Sequence, residues 1–122
     1  MSQKVLLVED DNMLNDAFTI LLEQEGFEGV SAFDGKEALE KLGSYRPDII
    51  LLDLLMPVMD GKQFLKVYEN KSHIPIIVFS NLDDKASVEE VMDLGASRYM
   101  LKAWASPKEL VTVIKNTILA NV

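Results

Sequence analysis

The sequence Ile49-Ile50-Leu51-Leu52-Asp53 decides the fold, because it places a carboxylate directly after four large apolar residues. Four residues are too few for a helix, and apolar side chains without polar alternation are typical of a strand buried on both faces. Strands of this kind belong to parallel sheets that helices cover on both sides. An unpaired carboxylate at the end of such a strand is costly unless a site needs it. The stretch therefore predicts an α/β fold and marks Asp53 as a candidate functional residue.

Short apolar runs alternate with amphipathic stretches along the whole chain. The runs predict strands at residues 5–8, 29–33, 49–52, 74–79 and 99–101. The second run is the weakest, and it is required because consecutive helices on a parallel sheet normally flank a strand. The alternation predicts a strand followed by a helix, five times over. A chain of 122 residues suits one compact domain, so we predict a single domain over residues 1–122.

Helix signals agree with this division. The first helix is predicted from apolar residues at the spacing of one helical face, and Gly26 follows as a stop signal. These apolar residues are Leu14, Ala17, Phe18, Leu21 and Leu22. The last helix has a start signal in Ser106, Pro107 and Glu109, which supply an N-cap, a first-turn proline and a first-turn acid.

The composition is acidic, with 20 Asp and Glu against 12 Lys and Arg and a net charge of −8. Such a surface repels nucleic acid and anionic membranes, so we expect no direct binding to either. The sequence has no apolar run of about 18 residues and no basic leader with a signal-type apolar segment. We therefore expect a cytoplasmic location. The absence of cysteine excludes disulfides, thiol catalysis and thiolate metal sites.

The residues that follow the predicted strands carry the candidate chemistry, since ligand sites of open parallel sheets lie beyond the carboxyl ends of the strands. These residues are Glu9, Asp10, Asp11, Asp53, Ser80 and Lys102. Clustered carboxylates repel one another unless a cation is shared among them. Oxygen ligands without histidine or cysteine favour a hard ion that accepts one or two carboxylates and a phosphate oxygen. The pattern predicts a Mg²⁺ site.

With a metal ion bound, Asp53 could attack a phosphoryl donor. The ion and Lys102 would neutralise the oxygens that carry charge in the transition state, and Ser80 would donate a hydrogen bond. The predicted product is an aspartyl phosphate at Asp53.

Three stretches of the chain carry a family resemblance. Residues 5–11 read VLLVEDD, residues 47–61 read PDIILLDLLMPVMDG and residues 93–102 read DLGASRYMLK. Together they resemble the receiver domains of two-component response regulators, and the similarity extends over essentially the whole chain. The resemblance implies a flavodoxin-like (βα)5 three-layer sandwich with a five-stranded parallel sheet in the order 2-1-3-4-5.

The resemblance also implies roles for individual residues. Asp53 matches the phosphoryl acceptor, and Glu9 and Asp10 match the acidic pair, in which Asp10 is the direct Mg²⁺ ligand and Glu9 acts through water or from the second layer. The backbone carbonyl of Leu55 would be a further ligand.

A phosphatase of the haloacid-dehalogenase type is the less favoured function, because the second aspartate of such enzymes, which acts as the general acid, is replaced here by Leu55.

Three further positions match the residues that respond to phosphorylation. Ser80 matches the hydroxyl that turns toward the phosphoryl group, Lys102 matches the lysine that pairs with it, and Tyr99 matches the aromatic switch. In the family, movement of the hydroxyl opens space for the ring and so repacks the surface of the fourth helix, fifth strand and fifth helix. Considered alone, Tyr99 is better explained by core packing.

The implied function is a Mg²⁺-dependent signalling switch, a phospho-acceptor domain that turns over no external substrate. Its phosphoryl group would come from a sensor histidine kinase or a phosphotransfer protein. Its output would be a downstream protein partner, an effector domain missing from this chain, or a dimer that forms on phosphorylation. Both a stand-alone regulator and a receiver from a longer protein fit the sequence.

Two departures from the family pattern keep alternatives open. Receivers usually carry proline after the lysine, commonly with a cis bond, but Ala103 follows Lys102 here, so the bond could be cis or trans. Asn81 stands where a small residue is usual. A degenerate receiver that docks partners without phosphorylation is therefore the main alternative. A flavodoxin-like cofactor binder is disfavoured, because acidic residues follow the first strand in place of a phosphate-binding loop.

Overall fold

The structure is a computed structural model that describes residues 2–121, and within this range strands and helices alternate. The strands are β1 (Lys4–Val8), β2 (Glu28–Ala32), β3 (Ile49–Leu52), β4 (Ile76–Ser80) and β5 (Arg98–Leu101). The helices are α1 (Asn12–Gln24), α2 (Gly35–Leu42), α3 (Gly61–Val67), α4 (Lys85–Asp93) and α5 (Pro107–Ala120). None of the helices in this range is long and apolar enough to cross a membrane.

The five strands form one parallel sheet in the order β2-β1-β3-β4-β5. Val8 is paired with Leu52, and Leu52 is paired with Val78. This register brings the ends of β1, β3 and β4 to the same edge of the sheet, which we call the carboxyl edge. The predicted flavodoxin-like topology and strand order are confirmed.

Side chains of β3 alternate between two hydrophobic clusters, and all four of them are buried. Ile50 and Leu52 pack with residues of α2, α3 and α4, whereas Ile49 and Leu51 pack with residues of α1 and α5. Full burial of each such side chain contributes about 2 kcal/mol relative to exposure. The sheet is thus covered on both faces, which confirms the three-layer arrangement.

The bounds of four strands differ from the predictions. β4 runs from Ile76 to Ser80, so it begins two residues later and ends one residue later than predicted. β1, β2 and β5 each begin one residue earlier than predicted, and β2 also ends one residue earlier. The run before β4 includes Ile74 and Pro75, and proline has no N–H to contribute to a sheet ladder. Ser80 is therefore the last residue of its strand and does not follow it.

The predicted buried face of α1 is partly wrong. Leu14 and Ala17 are exposed, while Asn15 is buried at 1% exposure together with Leu22. Phe18 is half-buried and packs edge to face against Phe79 with ring centroids 5.4 Å apart. The inward face therefore begins at a polar residue, because the Asn15 amide finds hydrogen-bond partners inside the fold.

Polar side chains cap all five helices at the carboxyl edge of the sheet. They are Asp11, Asp34, Asp60, Asp84 and Ser106. Each accepts a hydrogen bond from a backbone N–H of its first helical turn, which satisfies a group that would otherwise have no partner. Ser106 and Pro107 begin α5 as predicted. The segments that connect strands to helices at this edge are fixed by these caps.

Candidate functional site

Three carboxylates meet at the carboxyl edge. Glu9 and Asp10 follow β1, Asp53 follows β3, and each offers an oxygen within 4.8 Å of the others. Glu9 is 3% exposed and Asp53 is 7% exposed, while Asp10 is half-buried. The sheet register brings β1 and β3 side by side, so acids that are 43 and 44 positions apart in sequence become neighbours.

Lys102 supplies the cation of this cluster. Its ammonium nitrogen lies 3.1 Å from Asp53 Oδ2 and also donates to Glu9 Oε1. Only 14% of the lysine side chain is exposed. Burial opposes the charge on Lys102, but hydrogen bonding and attraction from Glu9 and Asp53 outweigh it and raise the pKa of the lysine above its ordinary value. One positive charge therefore faces three carboxylates.

The Asp53 carboxylate is held from two sides. Its Oδ1 accepts the backbone N–H of Leu54 at 2.8 Å, and its Oδ2 pairs with Lys102. The backbone N–H of Asp53 donates to the carbonyl oxygen of Val8 at 3.0 Å, which continues the ladder between β1 and β3. These contacts fix the direction of the side chain while its oxygens remain part of the cluster.

The remaining negative charge is concentrated near Asp10. Burial, a hydrogen bond with Glu9 and repulsion by the Glu9 carboxylate raise the pKa of Asp10 above its ordinary value of 3.8. A divalent cation among the three carboxylates would relieve that repulsion. The ligand set consists of oxygen atoms and is partly exposed at Asp10, which suits an ion that retains several waters. The residues present therefore fit Mg²⁺.

Replacing Asp10 by asparagine is expected to stabilise the metal-free chain by up to about 1 kcal/mol, because it removes a like-charge contact with Glu9. The raised pKa means that the folded chain holds this proton more tightly than the unfolded chain. Stabilisation from the proton is therefore complete below 3.8 and is lost as pH rises through the raised pKa of the folded state. At neutral pH the native chain lacks this stabilisation, and a neutral asparagine at position 10 restores it.

Urea unfolding at neutral pH with a chelator measures this effect. Asp16→Asn is the matched control, since Asp16 is an exposed acid on α1, the helix that follows Asp10, and its replacement should leave stability nearly unchanged. Added Mg²⁺ should stabilise the native chain but not Asp10→Asn. A metal-free Asp10→Asn chain that is less stable than the native one would contradict the account of charge crowding.

Ser80 and Tyr99 both contact Leu82, in the segment between β4 and α4. Ser80 is fully buried, and its hydroxyl oxygen accepts the backbone N–H of Leu82 at 3.3 Å. The half-buried Tyr99 donates its hydroxyl proton to the carbonyl oxygen of Leu82. Burial raises the pKa of Tyr99 above its ordinary value, so the hydroxyl remains a donor. One residue therefore links the strand-end hydroxyl to the aromatic ring.

The segment after β5 differs from the family pattern. No cis peptide bond occurs among residues 2–121, so the bond between Lys102 and Ala103 is trans. Lys102 nevertheless reaches Asp53 and Glu9. Asn81 and Ala103 line a cavity of about 280 Å³ between α1 and α5, next to Lys102. Asn81 thus lies beside the cluster and leaves the ion pairs of Lys102 in place.

Four other residues named from the sequence or lying near the site stand outside the group of three carboxylates. The backbone of Leu55 follows the Asp53 segment and its side chain is 61% exposed, while Trp104 is 82% exposed. Asp11 caps α1 and stands outside the group of three acids. His73 is an exposed loop residue that precedes the start of β4, so it lies outside the carboxyl edge.

Two residues that support the site escaped the sequence analysis. Gly61 lies so close to the backbone of Asp53 that a Cβ atom would be 2.4 Å from its carbonyl oxygen. Asn15 donates its side-chain amide to the carbonyl oxygen of Glu9 at 2.9 Å. For Asn15, the sequence shows a polar residue between apolar ones in the first helix, and this pattern is equally consistent with an exposed side chain.

Comparison with known proteins agrees with this geometry. The family model described as response regulator receiver domain matches residues 5–115. The chain is 36% identical over 121 residues to the DNA-binding response regulator MtrA of Mycolicibacterium smegmatis, in an alignment that covers 99% of this chain and 53% of that protein. MtrA of Mycobacterium tuberculosis gives the same values. The chain thus spans about half the length of the curated relatives it matches.

Solved structures of receivers share the fold over nearly the whole chain. The receiver domain of the Francisella response regulator 1452 has a TM-score of 0.90 at 30% identity and covers 99% of this chain and all of that one. The chemotaxis protein CheY4 of Vibrio cholerae has a TM-score of 0.88 at 29% identity, covering 96% and 99%. With its sheet order, its three acids and its strand-end lysine, this chain belongs to the response regulator receiver domain family.

Proposed function

We propose that the chain accepts a phosphoryl group on Asp53, in a Mg²⁺-dependent reaction, from a sensor histidine kinase or a phosphotransfer protein. The observation that carries the proposal is the group of the buried Asp53 and Glu9 with the half-buried Asp10, in which the Lys102 ammonium nitrogen lies 3.1 Å from Asp53. Receiver domains are regulatory phospho-acceptors in two-component signalling and differ from classical enzymes.

In the proposed step, one carboxylate oxygen of Asp53 forms a bond to phosphorus as the bond between phosphorus and the donor's leaving atom breaks. The electron pair of that bond stays with the leaving atom, which then takes a proton from solvent. Lys102 is already within hydrogen-bond reach of Asp53 and neutralises charge on the phosphoryl oxygens. Because Leu54 N–H holds the other oxygen, the attacking group is positioned before the donor arrives.

Asp10, Asp53 and the backbone carbonyl of Leu55 are the proposed Mg²⁺ ligands, with Glu9 in the second layer or acting through water. When bound, Mg²⁺ would offset the negative charge of the acids and of the incoming phosphoryl group. Glu9 is anchored by Lys102 and by the backbone N–H of Asp11, so it supports the group and leaves Asp10 free to bind.

Leu82 provides a route from phosphorylation to a changed surface. A Ser80 hydroxyl that turns toward the phosphoryl group gives up its contact with the N–H of Leu82, whose carbonyl oxygen holds Tyr99. Movement of the Leu82 backbone would therefore release the aromatic ring. The expected consequence is a rearranged surface near β5 for a downstream protein, an effector domain or a second copy of the chain.

Exposed apolar side chains around the acids suit a protein donor. Met13, Leu55, Val58 and Trp104 are each more than half exposed and belong to segments at the carboxyl edge. Exposed apolar groups around a functional site are typical of protein contact surfaces. A kinase or phosphotransfer protein docked there would place its phosphorylated side chain over Asp53, which is consistent with a cytoplasmic role.

Mass spectrometry of the intact chain tests the proposal. The chain is incubated with a small-molecule phosphoryl donor, with Mg²⁺ or with a chelator. Addition of one phosphoryl group with Mg²⁺ and none with the chelator is expected. Absence of addition in both conditions would overturn the proposal and favour a receiver that docks its partners without phosphorylation.

A further inference from the structure

A buried polar cluster lies behind the acidic turn after β1, on the side away from Lys102. Its centre is Asn15, which is 1% exposed and is the most buried residue of α1 apart from Leu22. Thr19 and Ser31 complete the cluster. A buried amide is costly unless its donors and acceptor are used, and here the NH₂ group is used toward the acidic turn and the oxygen toward Ser31.

Asn15 contacts the residues on both sides of Asp10. Its side-chain amide donates to the carbonyl oxygen of Glu9 at 2.9 Å, and its backbone N–H donates to the carbonyl oxygen of Asp11 at 2.8 Å. The backbone contact is the ordinary helical one, which any residue but proline could make. The contact with Glu9 depends on the asparagine side chain, and it holds the peptide group that joins Glu9 to Asp10.

The amide is itself fixed in orientation. The hydroxyl of Ser31 in β2 donates to the side-chain oxygen Oδ1 of Asn15. The hydroxyl of Thr19 donates to the backbone carbonyl oxygen of Asn15 at 2.8 Å. The hydroxyls of Thr19 and Ser31 lie 3.3 Å apart. With its oxygen committed to Ser31, Asn15 must present its NH₂ group to Glu9. Strand β2 therefore determines how α1 holds the acidic turn.

The Asp10 side chain depends on this support. Glu9 is fixed at its N–H by the carbonyl oxygen of Ala32, and at its carboxylate by Lys102 and the N–H of Asp11. Asp10 and Glu9 offer carboxylate oxygens within 4.8 Å of each other, so repulsion between the two like charges favours turning the Asp10 side chain away from the cluster. Contacts that hold the peptide group before Asp10 oppose this rotation of the Asp10 side chain. Residues that hydrogen-bond to metal ligands or to their backbone typically orient the ligands in this way.

We infer that Asn15, oriented by Ser31, is a positioning residue that directs the Asp10 carboxylate into the metal site and so sets the affinity for Mg²⁺. The inference rests on the proposed function, because it concerns the same metal site. Removal of the amide should weaken Mg²⁺ binding about tenfold, the lower end of the range for residues that support metal ligands. Loss of fold stability alone would leave the affinity unchanged.

The experiment is a calorimetric titration of the whole chain with Mg²⁺ alone. Asn15→Leu keeps a similar volume and removes the hydrogen bonds of the amide. Thr117→Val is the matched control, because Thr117 is a buried polar residue on α5 that bonds Arg98 at the start of β5, at the opposite edge of the sheet. Ser31→Ala removes only the group that orients the amide and should have a smaller effect in the same direction.

An approximately tenfold rise in the dissociation constant for Asn15→Leu, with no change for Thr117→Val, supports the inference. Native affinity in a folded Asn15→Leu chain, or an equal loss in Thr117→Val, overturns it and leaves the proposed function standing. If Asn15→Leu does not fold, Ser31→Ala decides: a rise in its dissociation constant that Thr117→Val lacks supports the inference, and native affinity overturns it. A native chain that binds no Mg²⁺ overturns both the inference and the metal site of the proposed function.

Discussion

Replacing Gly61 by alanine is expected to lower the free energy of unfolding by about 3 kcal/mol, the upper end for a side chain forced into a packed interior. The new Cβ atom would lie 2.4 Å from the carbonyl oxygen of Asp53 and 2.9 Å from the Cα atom of Leu54. Both are backbone atoms, so no side-chain rotation relieves the overlap. Either α3 must move away from the sheet or the end of β3 must shift.

A shift of β3 would also displace Asp53, the proposed acceptor. Gly61 donates its N–H to the carbonyl oxygen of Leu54 at 3.0 Å, which ties the start of α3 to the residue after Asp53. Displacement by about 1 Å at a reacting group can slow a reaction on the order of a hundredfold. We therefore expect Gly61→Ala to slow phosphorylation by a small-molecule donor as well as to destabilise the chain.

Urea unfolding and the rate of phosphoryl addition measure these two effects. Gly29→Ala is the control, because its Cβ would meet only the methyl group of Thr19 at 3.6 Å, an ordinary contact distance. It should be close to the native chain in both measurements. A Gly61→Ala chain with native stability would show that α3 does not press on the backbone of Asp53.

Replacing Lys102 by methionine is expected to cost about 3 kcal/mol in the absence of Mg²⁺, the low end for breaking a buried ion pair. Methionine keeps much of the apolar stem but leaves Glu9, Asp10 and Asp53 without their cation. The stabilisation by Lys102 is complete below its ordinary pKa of 10.5 and is lost as pH rises through the higher pKa of the folded state. At neutral pH the native chain therefore has the full contribution.

Lys115→Met is the matched control for this prediction. Lys115 pairs with Glu25 at 3.8 Å, and about half of each side chain is exposed, so its loss should cost less than about 0.5 kcal/mol. Mg²⁺ should restore part of the stability of Lys102→Met, because it replaces the missing positive charge. Equal stability of the Lys102→Met and Lys115→Met chains would contradict the role of Lys102 as the cation of the cluster.

The sequence was sufficient to predict the fold because its local patterns agree with the global arrangement. Each buried strand is a short apolar run, and its end is marked by a polar residue such as Asp53. Parallel strands bring those ends to one edge, so the meeting of Glu9, Asp10 and Asp53 follows from the order of the elements. Strand β2 was the weakest prediction because its residues are only partly buried at the edge of the sheet.

The supporting residues could not be predicted because their roles depend on contacts between distant segments. Gly61 is important because it lies against the backbone of Asp53, and the periodicity of helices and strands in the sequence does not predict that close approach. Apolar periodicity predicts that Leu14 and Ala17 lie on the inward face of α1, but Asn15 lies there and these two residues are exposed. The burial of Asn15 makes sense only once Ser31 and the carbonyl oxygen of Glu9 are nearby. Periodicity records which faces are apolar, and it misses polar groups satisfied inside the fold.

Identification of the phosphorylated residue tests the central claim most directly. The chain is phosphorylated with a small-molecule donor and Mg²⁺, then reduced with borohydride, which converts an aspartyl phosphate to homoserine, and its peptides are mapped by mass spectrometry. We predict homoserine at position 53 alone, and none in an Asp53→Asn chain treated in the same way. Modification at Asp10, Asp11 or His73 with position 53 unchanged would contradict the assignment of Asp53 as the phosphoryl acceptor.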